Sequence, residues 1–184
     1  MTWEIRAART EDAAQLSELA ERIFRDTFGE FNTAADMNIY CAEAFTPAAM
    51  IGEINDPHTD ILIALHGNRP AAYAHLHRGT APPMVHGGRP VELKRFYVEA
   101  QWHGSGLARE LMQRVITLAL EHGAETLWLG VWERNPRAIR FYHKYGFSEV
   151  GEQPFMLGTD LQRDLIMARP LGGDRPTPSH DHAR

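Results

Sequence analysis

Between Val91 and Phe147 the chain reads as strand, glycine loop, helix, strand, helix, with a polar patch at each strand end. The loop is Gln101-Trp102-His103-Gly104-Ser105-Gly106, and a helix opens directly behind it. Free N–H groups at a helix start, with the helix dipole behind them, hold phosphate oxygens. Gly104 and Gly106 let the backbone approach a ligand and take angles that a Cβ would forbid. Such a site suits a pyrophosphate-bearing cofactor, and it commits the Val91–Trp132 segment to a parallel crossover.

The flanking sequence fixes the architecture around that unit. Trp3 to Ala7 reads as a short first strand. Thr10 fits a helix cap, and Leu16, Leu19, Ala20, Ile23 and Thr27 recur at helical spacing, so Glu11 to about Thr27 is an amphipathic helix. A second helix covers roughly Thr33 to Phe45, and Thr46-Pro47 starts a third that runs to about Asn55. Asp60 to His66 and Ala71 to His77 form a hairpin about Gly67-Asn68-Arg69-Pro70. A Pro- and Gly-rich loop from Gly79 to Pro90 precedes the strand Val91 to Val98. The helix from Gly106 to about His122 presents Leu107, Leu111, Val115 and Leu118. Glu125 to Trp132 is a strand, Pro136 to Tyr145 a helix, and Phe147 to Pro154 and Asp160 to Arg169 two last strands. The order β-ααα-β-β-β-α-β-α-β-β is α/β with a mixed sheet, not an alternating doubly wound fold. Residues 1–171 form one domain, and 172–184, polar and rich in Pro, Gly and His, read as a disordered tail.

Charge and cysteine usage narrow the setting. The net charge of −5 argues against nucleic acid as a partner and is compatible with a cationic substrate. Cys41 stands alone, so no internal disulfide forms, and a reducing compartment is expected. Glu4 and Arg6 interrupt the N-terminus before any apolar run, and no stretch approaches the roughly 20 apolar residues of a membrane span. The expected location is the cytoplasm, with no membrane partner. His75 and His77 alternate on one strand and His180 and His182 lie in the tail, but a metal site needs three or four converging ligands, so no metal is expected.

Three cofactors compete for the loop. A kinase-type phosphate loop needs a Gly-Lys-Ser/Thr ending that is absent. A dinucleotide fold needs Gly-x-Gly-x-x-Gly/Ala in its first βαβ unit, whereas Arg109 stands at the third small position and the run lies in mid-chain. The third reading is coenzyme A. Here Gln101-x-x-Gly104-x-Gly106 begins three residues after Val98, and Asn135 precedes a helix ending Phe141-Tyr142-His143-Lys144-Tyr145-Gly146-Phe147. In both motifs, their order and their spacing, the chain resembles the GCN5-related N-acetyltransferase (GNAT) superfamily over about Val91 to Val150. More narrowly, Leu127 to Asn135, Phe24 to Gly29 and the closing Asp164-Leu165-Ile166-Met167 are similar to the bacterial polyamine acetyltransferases of the PaiA type.

That resemblance implies a central twisted mixed sheet of about seven strands flanked by helices, and an acetyl-CoA-dependent N-acetyltransferase working by direct attack in a ternary complex. It assigns the backbone of Phe96, Tyr97 and Val98 to the pantetheine arm, with the Val98 N–H near the thioester oxygen. It assigns the backbone around Gln101, His103, Gly104, Ser105, Gly106, Leu107 and Ala108 to the pyrophosphate. Tyr142 falls where the family places its general acid, beside the departing sulfur. Asn135 falls where the family binds pantetheine or orders water, and it also suits a helix cap. Phe141 and Tyr145 suit packing or the cofactor wall. Glu92 holds a position where several members carry a carboxylate base, with Glu133 and Glu30 as further carboxylates for the substrate mouth. Trp128 and Trp132 read as core and pocket wall. A small-molecule amine is the expected partner: first a polyamine such as spermidine or spermine, otherwise a protein lysine or N-terminus, an amino acid or an aminoglycoside. A silent acyl-CoA-binding regulatory module is the alternative of another class. Both a monomer and a homodimer fit the sequence.

Overall fold

The computed structural model describes residues 2–172. The expected tail at 173–184 lies outside them. The elements in chain order are β1 (Glu4–Ala7), α1 (Ala13–Phe28), α2 (Ala34–Ala44), α3 (Pro47–Asn55), β2 (Thr59–His66), β3 (Arg69–Arg78), β4 (Pro90–Val98), α4 (Leu107–Glu121), β5 (Thr126–Trp132), α5 (Pro136–Lys144), β6 (Ser148–Leu157) and β7 (Asp160–Pro170). The strands form one seven-stranded mixed sheet in the order β1-β2-β3-β4-β5-β7-β6. All neighbours are antiparallel except β4 and β5.

Each face of the sheet carries helices. Against one face α4 packs Leu107, Leu111, Met112 and Val115 onto Leu93, Leu127, Leu129 and Met167, with Tyr142 and Phe147 closing that layer. Against the other, α1, α2 and α3 pack Leu16, Leu19, Ile23, Phe24, Met37 and Met50 onto Ile61, Ile63, Tyr73 and Leu157. The apolar spacing of α1 and α4 therefore marks real core faces.

Three local expectations change. Thr10 does not cap α1: Thr10–Asp12 form a 3-10 turn, and the helix begins at Ala13. The cause is Asp12, whose carboxylate accepts from the Arg9 N–H at 2.7 Å and pairs with the Arg6 guanidinium of β1 at 2.7 Å. The first hairpin is tighter than the sequence predicts, since β3 already starts at Arg69 and Gly67 turns the chain at φ 60°. Strand β6 runs past Pro154 to Leu157. It is an edge strand, where a residue without an N–H is tolerated.

The centre of the sheet is where the site forms. In the β3–β4 ladder His75 pairs with Arg95 and Leu76 with Leu93, which leaves Lys94 as an extra residue. Such a bulge bends its strand. Beyond it β4 leaves β5. Their parallel pairing is limited to Pro90 with Thr126, Val91 with Leu127, and Glu92 with Trp128. From there the two strands diverge, and β5 continues paired to β7 alone.

Candidate active site

The gap between β4 and β5 opens into a cavity of about 470 Å³ that passes from one side of the sheet to the other. Of the residues assigned from sequence, Glu92, Phe96, Tyr97, Val98, His103, Gly104, Ala108, Asn135, Phe141 and Tyr142 line it together. Gln101, Ser105, Gly106, Leu107 and Tyr145 do not. Tyr145 packs its ring on Phe141 at 4.9 Å. Glu133 lies in a neighbouring groove, paired with Arg163, and Glu30 sits exposed in the 3-10 turn Gly29–Phe31. Trp132 lines the cavity, while Trp128 is 5% exposed and packs on Val85 and Ile166.

Register decides which backbone groups face the gap. The Glu99 N–H donates to the Ala71 carbonyl of the β3 side at 3.0 Å. Backbone groups alternate sides along a strand, so the Tyr97 amide also points to β3, and those of Phe96 and Val98 point towards β5. Two N–H groups separated by one residue thus border the gap, the spacing an extended ligand needs to pair as a strand. The Val98 carbonyl is already taken: His103 Nε2 lies 2.9 Å from it. With Nε2 donating there, Nδ1 faces the Arg137 guanidinium at 2.8 Å and accepts from it. Arg137, which sequence reasoning missed, places a positive charge beside the glycine loop.

The loop itself is built by its glycines. Gly104 has φ 79° and Gly106 φ 96°, both in the left-handed region. Of the amides from His103 to Ala108, those of His103 and Ser105 donate to Ala100 and Trp102 carbonyls, and that of Leu107 to the Ser105 hydroxyl. Those of Gly104, Gly106 and Ala108 have no partner among the described residues, at the start of a 15-residue helix. Below the loop Glu99, 7% exposed, accepts from Gln101, from Arg22 at 2.9 Å and from Arg69 at 3.2 Å. Burial alone would raise its carboxyl pKa, but the bonds from Gln101 and Arg22 outweigh burial and lower it. The Gln101 side chain is therefore part of the support under the loop.

Tyr142 and Glu92, both assigned from sequence, line the same cavity. Helix α5 delivers Tyr142, and its start is fixed by Asn135, whose side chain accepts from the Ala138 N–H at 3.1 Å, with Pro136 in the first turn. Tyr142 is 8% exposed, and its hydroxyl makes no hydrogen bond among the described residues. Burial pushes its pKa up. Phe141 stacks on Phe96 at 5.4 Å and walls the same passage. Glu92 enters from β4, and burial raises its pKa against the smaller opposing pull of Lys94 and His77. Beyond Glu92 the cavity is lined by Phe24 and Phe28 of α1, Tyr40 of α2, Phe155 and Leu157 of β6, and Gln162 and Asp164 of β7. These were not assigned from sequence. Strand alternation alone could have marked Asp164, which shares a face of β7 with the fully buried Ile166.

Among the described residues no cluster of three or more His, Cys, Asp or Glu side chains is placed to hold a metal. None of their helices is long and apolar enough to cross a membrane.

Comparison with known proteins agrees with this geometry. Residues 15–147 match the Acetyltransferase (GNAT) family. An uncharacterized N-acetyltransferase of Mycobacterium tuberculosis is 34% identical over 160 residues, covering 87% of this chain and 98% of that protein. The spermine/spermidine N(1)-acetyltransferase of Bacillus subtilis is 33% identical over 66 residues, covering 35% of this chain and 43% of the relative. Among solved structures, the PaiA N-acetyltransferase of Thermoplasma acidophilum in complex with coenzyme A superposes with a TM-score of 0.74 at 19% identity, over 92% of this chain and 99% of that one. With the strand gap, the glycine loop and helix α5 with its Asn135 cap gathered about one cavity, and the family match over most of the chain, this protein belongs to the GNAT family of N-acetyltransferases.

Proposed function

We propose that the chain moves the acetyl group of acetyl-CoA to a primary amine by direct attack within a ternary complex, and that the acceptor is a polyamine such as spermidine or spermine. The observation that carries this reading is the passage through the sheet. Residues of the glycine loop (His103, Gly104), two acids (Glu92, Asp164) and Tyr142 all line it.

In this reading coenzyme A supplies the thioester. The amides of Gly104, Gly106 and Ala108, with Arg137 beside them, hold its pyrophosphate. The backbone of Phe96 and Val98 pairs with the pantetheine arm, with Tyr97 contributing its side chain to the acceptor wall. Glu92 takes a proton from the incoming ammonium, directly or through one water. Burial supports that role, because a carboxylate with a raised pKa is a stronger base. The amine nitrogen then bonds to the carbonyl carbon, the carbon–sulfur bond breaks, and the thiolate takes the Tyr142 proton; the surplus proton on the new amide nitrogen returns to the phenolate through water, and the proton held by Glu92 leaves to solvent. A thiol near 8.5 and a phenol near 10 are close enough for this transfer, and the dry pocket raises the proton affinity of both.

The polyamine class rests on the local similarity to the Bacillus subtilis spermine/spermidine enzyme and on unpaired carboxylates in the acceptor chamber. The test is thiol release from acetyl-CoA against spermidine, spermine, lysine peptides and aminoglycosides. Spermidine-dependent release lost in Glu92→Gln is the expected result. Release with lysine peptides or aminoglycosides but not polyamines would overturn the acceptor class.

A further inference from the structure

The acceptor chamber contains a carboxylate that the reaction scheme leaves unused. Along β7 the side chains of Gln162, Asp164, Ile166 and Ala168 share one face. Ile166 and Ala168 are buried in the core, whereas Asp164 opens into the cavity. In the sheet it lies between Trp132 of β5 and Gln153 of β6. The room it occupies is created by Gly130. A Cβ added there would stand 3.3 Å from Asp164 Oδ2 and 2.9 Å from Gln153 Nε2. Aromatic rings of Phe28, Tyr40, Trp132 and Phe155 line the same chamber.

No hydrogen bond or ion pair reaches the Asp164 carboxylate among the described residues. Of the other buried or half-buried acids, Asp36 is satisfied by Thr33 and Thr159, Glu99 by Arg22, Arg69 and Gln101, and Glu53 by Arg95, whereas Glu92 shares with Asp164 the lack of a hydrogen bond or ion pair among the described residues. A half-buried carboxylate without a partner costs free energy unless a cation completes it. The other charged or titratable groups lining the cavity are Tyr40 of α2, Tyr142 of α5, His103 and Arg137 at the cofactor end, and Glu92, Lys94, Arg95 and Tyr97 of β4. Both β4 cations are engaged elsewhere, Arg95 with Glu53 at 2.6 Å and Lys94 with Glu53 at 3.7 Å. One carboxylate answers both cations, so the two ionised acids Glu92 and Asp164 stand against one surplus positive charge, and the acceptor end is net negative.

We propose that Asp164 is the ammonium receptor of the acceptor chamber: set over Gly130 between Trp132 and Gln153, its carboxylate binds the protonated nitrogen of an alkylamine whose chain lies against the surrounding aromatic rings. This rests on the reading of the chamber as an amine site. It assigns Asp164 to binding and leaves proton removal to Glu92. Loading such a site requires an ionised Asp164, and burial pushes its pKa up to about 6. Binding therefore weakens as the pH falls through that region.

The test is calorimetric titration of the CoA-saturated protein with n-hexylamine, with n-hexanol as the uncharged control. Asp164→Asn keeps the shape and loses no hydrogen bond, so it is expected to melt no lower than the unmodified protein. Its hexylamine affinity should fall about tenfold or more, with hexanol and CoA binding unchanged, and Asp164→Glu should recover part of the loss. In turnover Asp164→Asn should raise the amine KM more than it lowers kcat, and the acid limb of kcat/KM near pH 6 should lose its Asp164 component. Equal hexylamine affinity in both proteins overturns the assignment, even if every amine is acetylated, and so does absence of hexylamine binding to the unmodified protein. Asp164-dependent binding without turnover of any amine overturns the acetyl-transfer scheme and leaves this assignment standing.

Discussion

Asp36 Oδ1 accepts the backbone N–H of Thr159 at 2.7 Å and its hydroxyl at 2.8 Å, which ties the tip of the β6–β7 hairpin to the first turn of α2. Asp36 is itself held by Thr33, the cap of that helix, at 2.6 Å. These bonds brace one wall of the cavity, since Tyr40 follows on α2 and Phe155 and Leu157 lie on β6. The hydroxyl of Thr33 and the bonds from Thr159 lower the Asp36 pKa. The contribution is thus present above the unfolded carboxylate pKa, near 3.8, and is lost as the pH falls through the lower folded value. Asp36→Ala should lower the melting temperature at pH 7, with the deficit shrinking at the acid end of that window. Melting curves from pH 7 down to pH 2.5 check it.

The same hairpin tip offers a sharper test at Gly158. It has φ 61°, and a Cβ there would stand 2.5 Å from the Asp36 Cα. Gly158→Ala combines a left-handed backbone with a clash against main chain. It should cost more than the roughly 1–2 kcal/mol of the backbone angle alone. Urea denaturation of the variant measures the difference.

Gly106 separates strain from crowding. Its φ is 96°, yet nothing lies within 4 Å of an added Cβ. Gly106→Ala should therefore lose about 1–2 kcal/mol from the backbone angle and weaken CoA binding by disturbing the loop amides. Gly52, inside α3, also has open space but no positive φ, so Gly52→Ala should stabilise by about 0.5–1 kcal/mol and leave CoA binding alone. Paired melting and CoA-binding measurements on the two variants check both.

Tyr142→Phe removes one oxygen that no described residue hydrogen-bonds, so the fold should be indifferent to it. If the phenol protonates the leaving thiolate, kcat should fall about a hundredfold or more while CoA binding is retained. Unchanged kcat would sink the acid role.

Asp164 also has a stability signature. Its folded pKa near 6 lies above the ordinary 3.8, so the folded chain holds this proton more tightly than the unfolded one. Stability therefore falls as the pH rises from about 4 to about 6 and is level above. A shift of that size corresponds to about 3 kcal/mol, reduced to about 2 kcal/mol because part of the side chain meets water. Asp164→Asn should remove that loss. Its advantage over the unmodified protein should be absent at pH 3.5 and full by pH 7 in urea titrations.

The sequence carries the local features well. Gly104 and Gly106, the Thr46-Pro47 and Asn135-Pro136 helix starts, and the core faces of α1 and α4 are each set by residues within a few positions of one another. What it hides is long-range. Glu99 supports the glycine loop through Arg22, 77 positions away, and nothing in either segment announces the pair. The Lys94 bulge exists only in the register between β3 and β4, and it is this register that turns the amides of Phe96 and Val98 into the gap. Asp164 was visible only as one letter of a closing strand, because its meaning depends on Gly130 across the sheet. His103 reads as a loop residue, yet its ring occupies the Val98 carbonyl, a relation that appears only once the loop has folded back over β4.

The three residue pairs joining β4 to β5 are fewer than those between the other neighbouring strands of the sheet. On one side stand four strands and on the other three, and beyond the pairs at Pro90, Val91 and Glu92 no strand pairing joins β4 to β5 among the described residues. A pantetheine arm bonded to Phe96 and Val98 would act as mortar between two half-sheets. Saturation at a hundred times the dissociation constant would add about 2.7 kcal/mol to the folded state. The protein should then be sturdiest where acetyl-CoA is abundant and most readily unfolded where it is scarce, so its persistence in a cell would report the supply of its own donor.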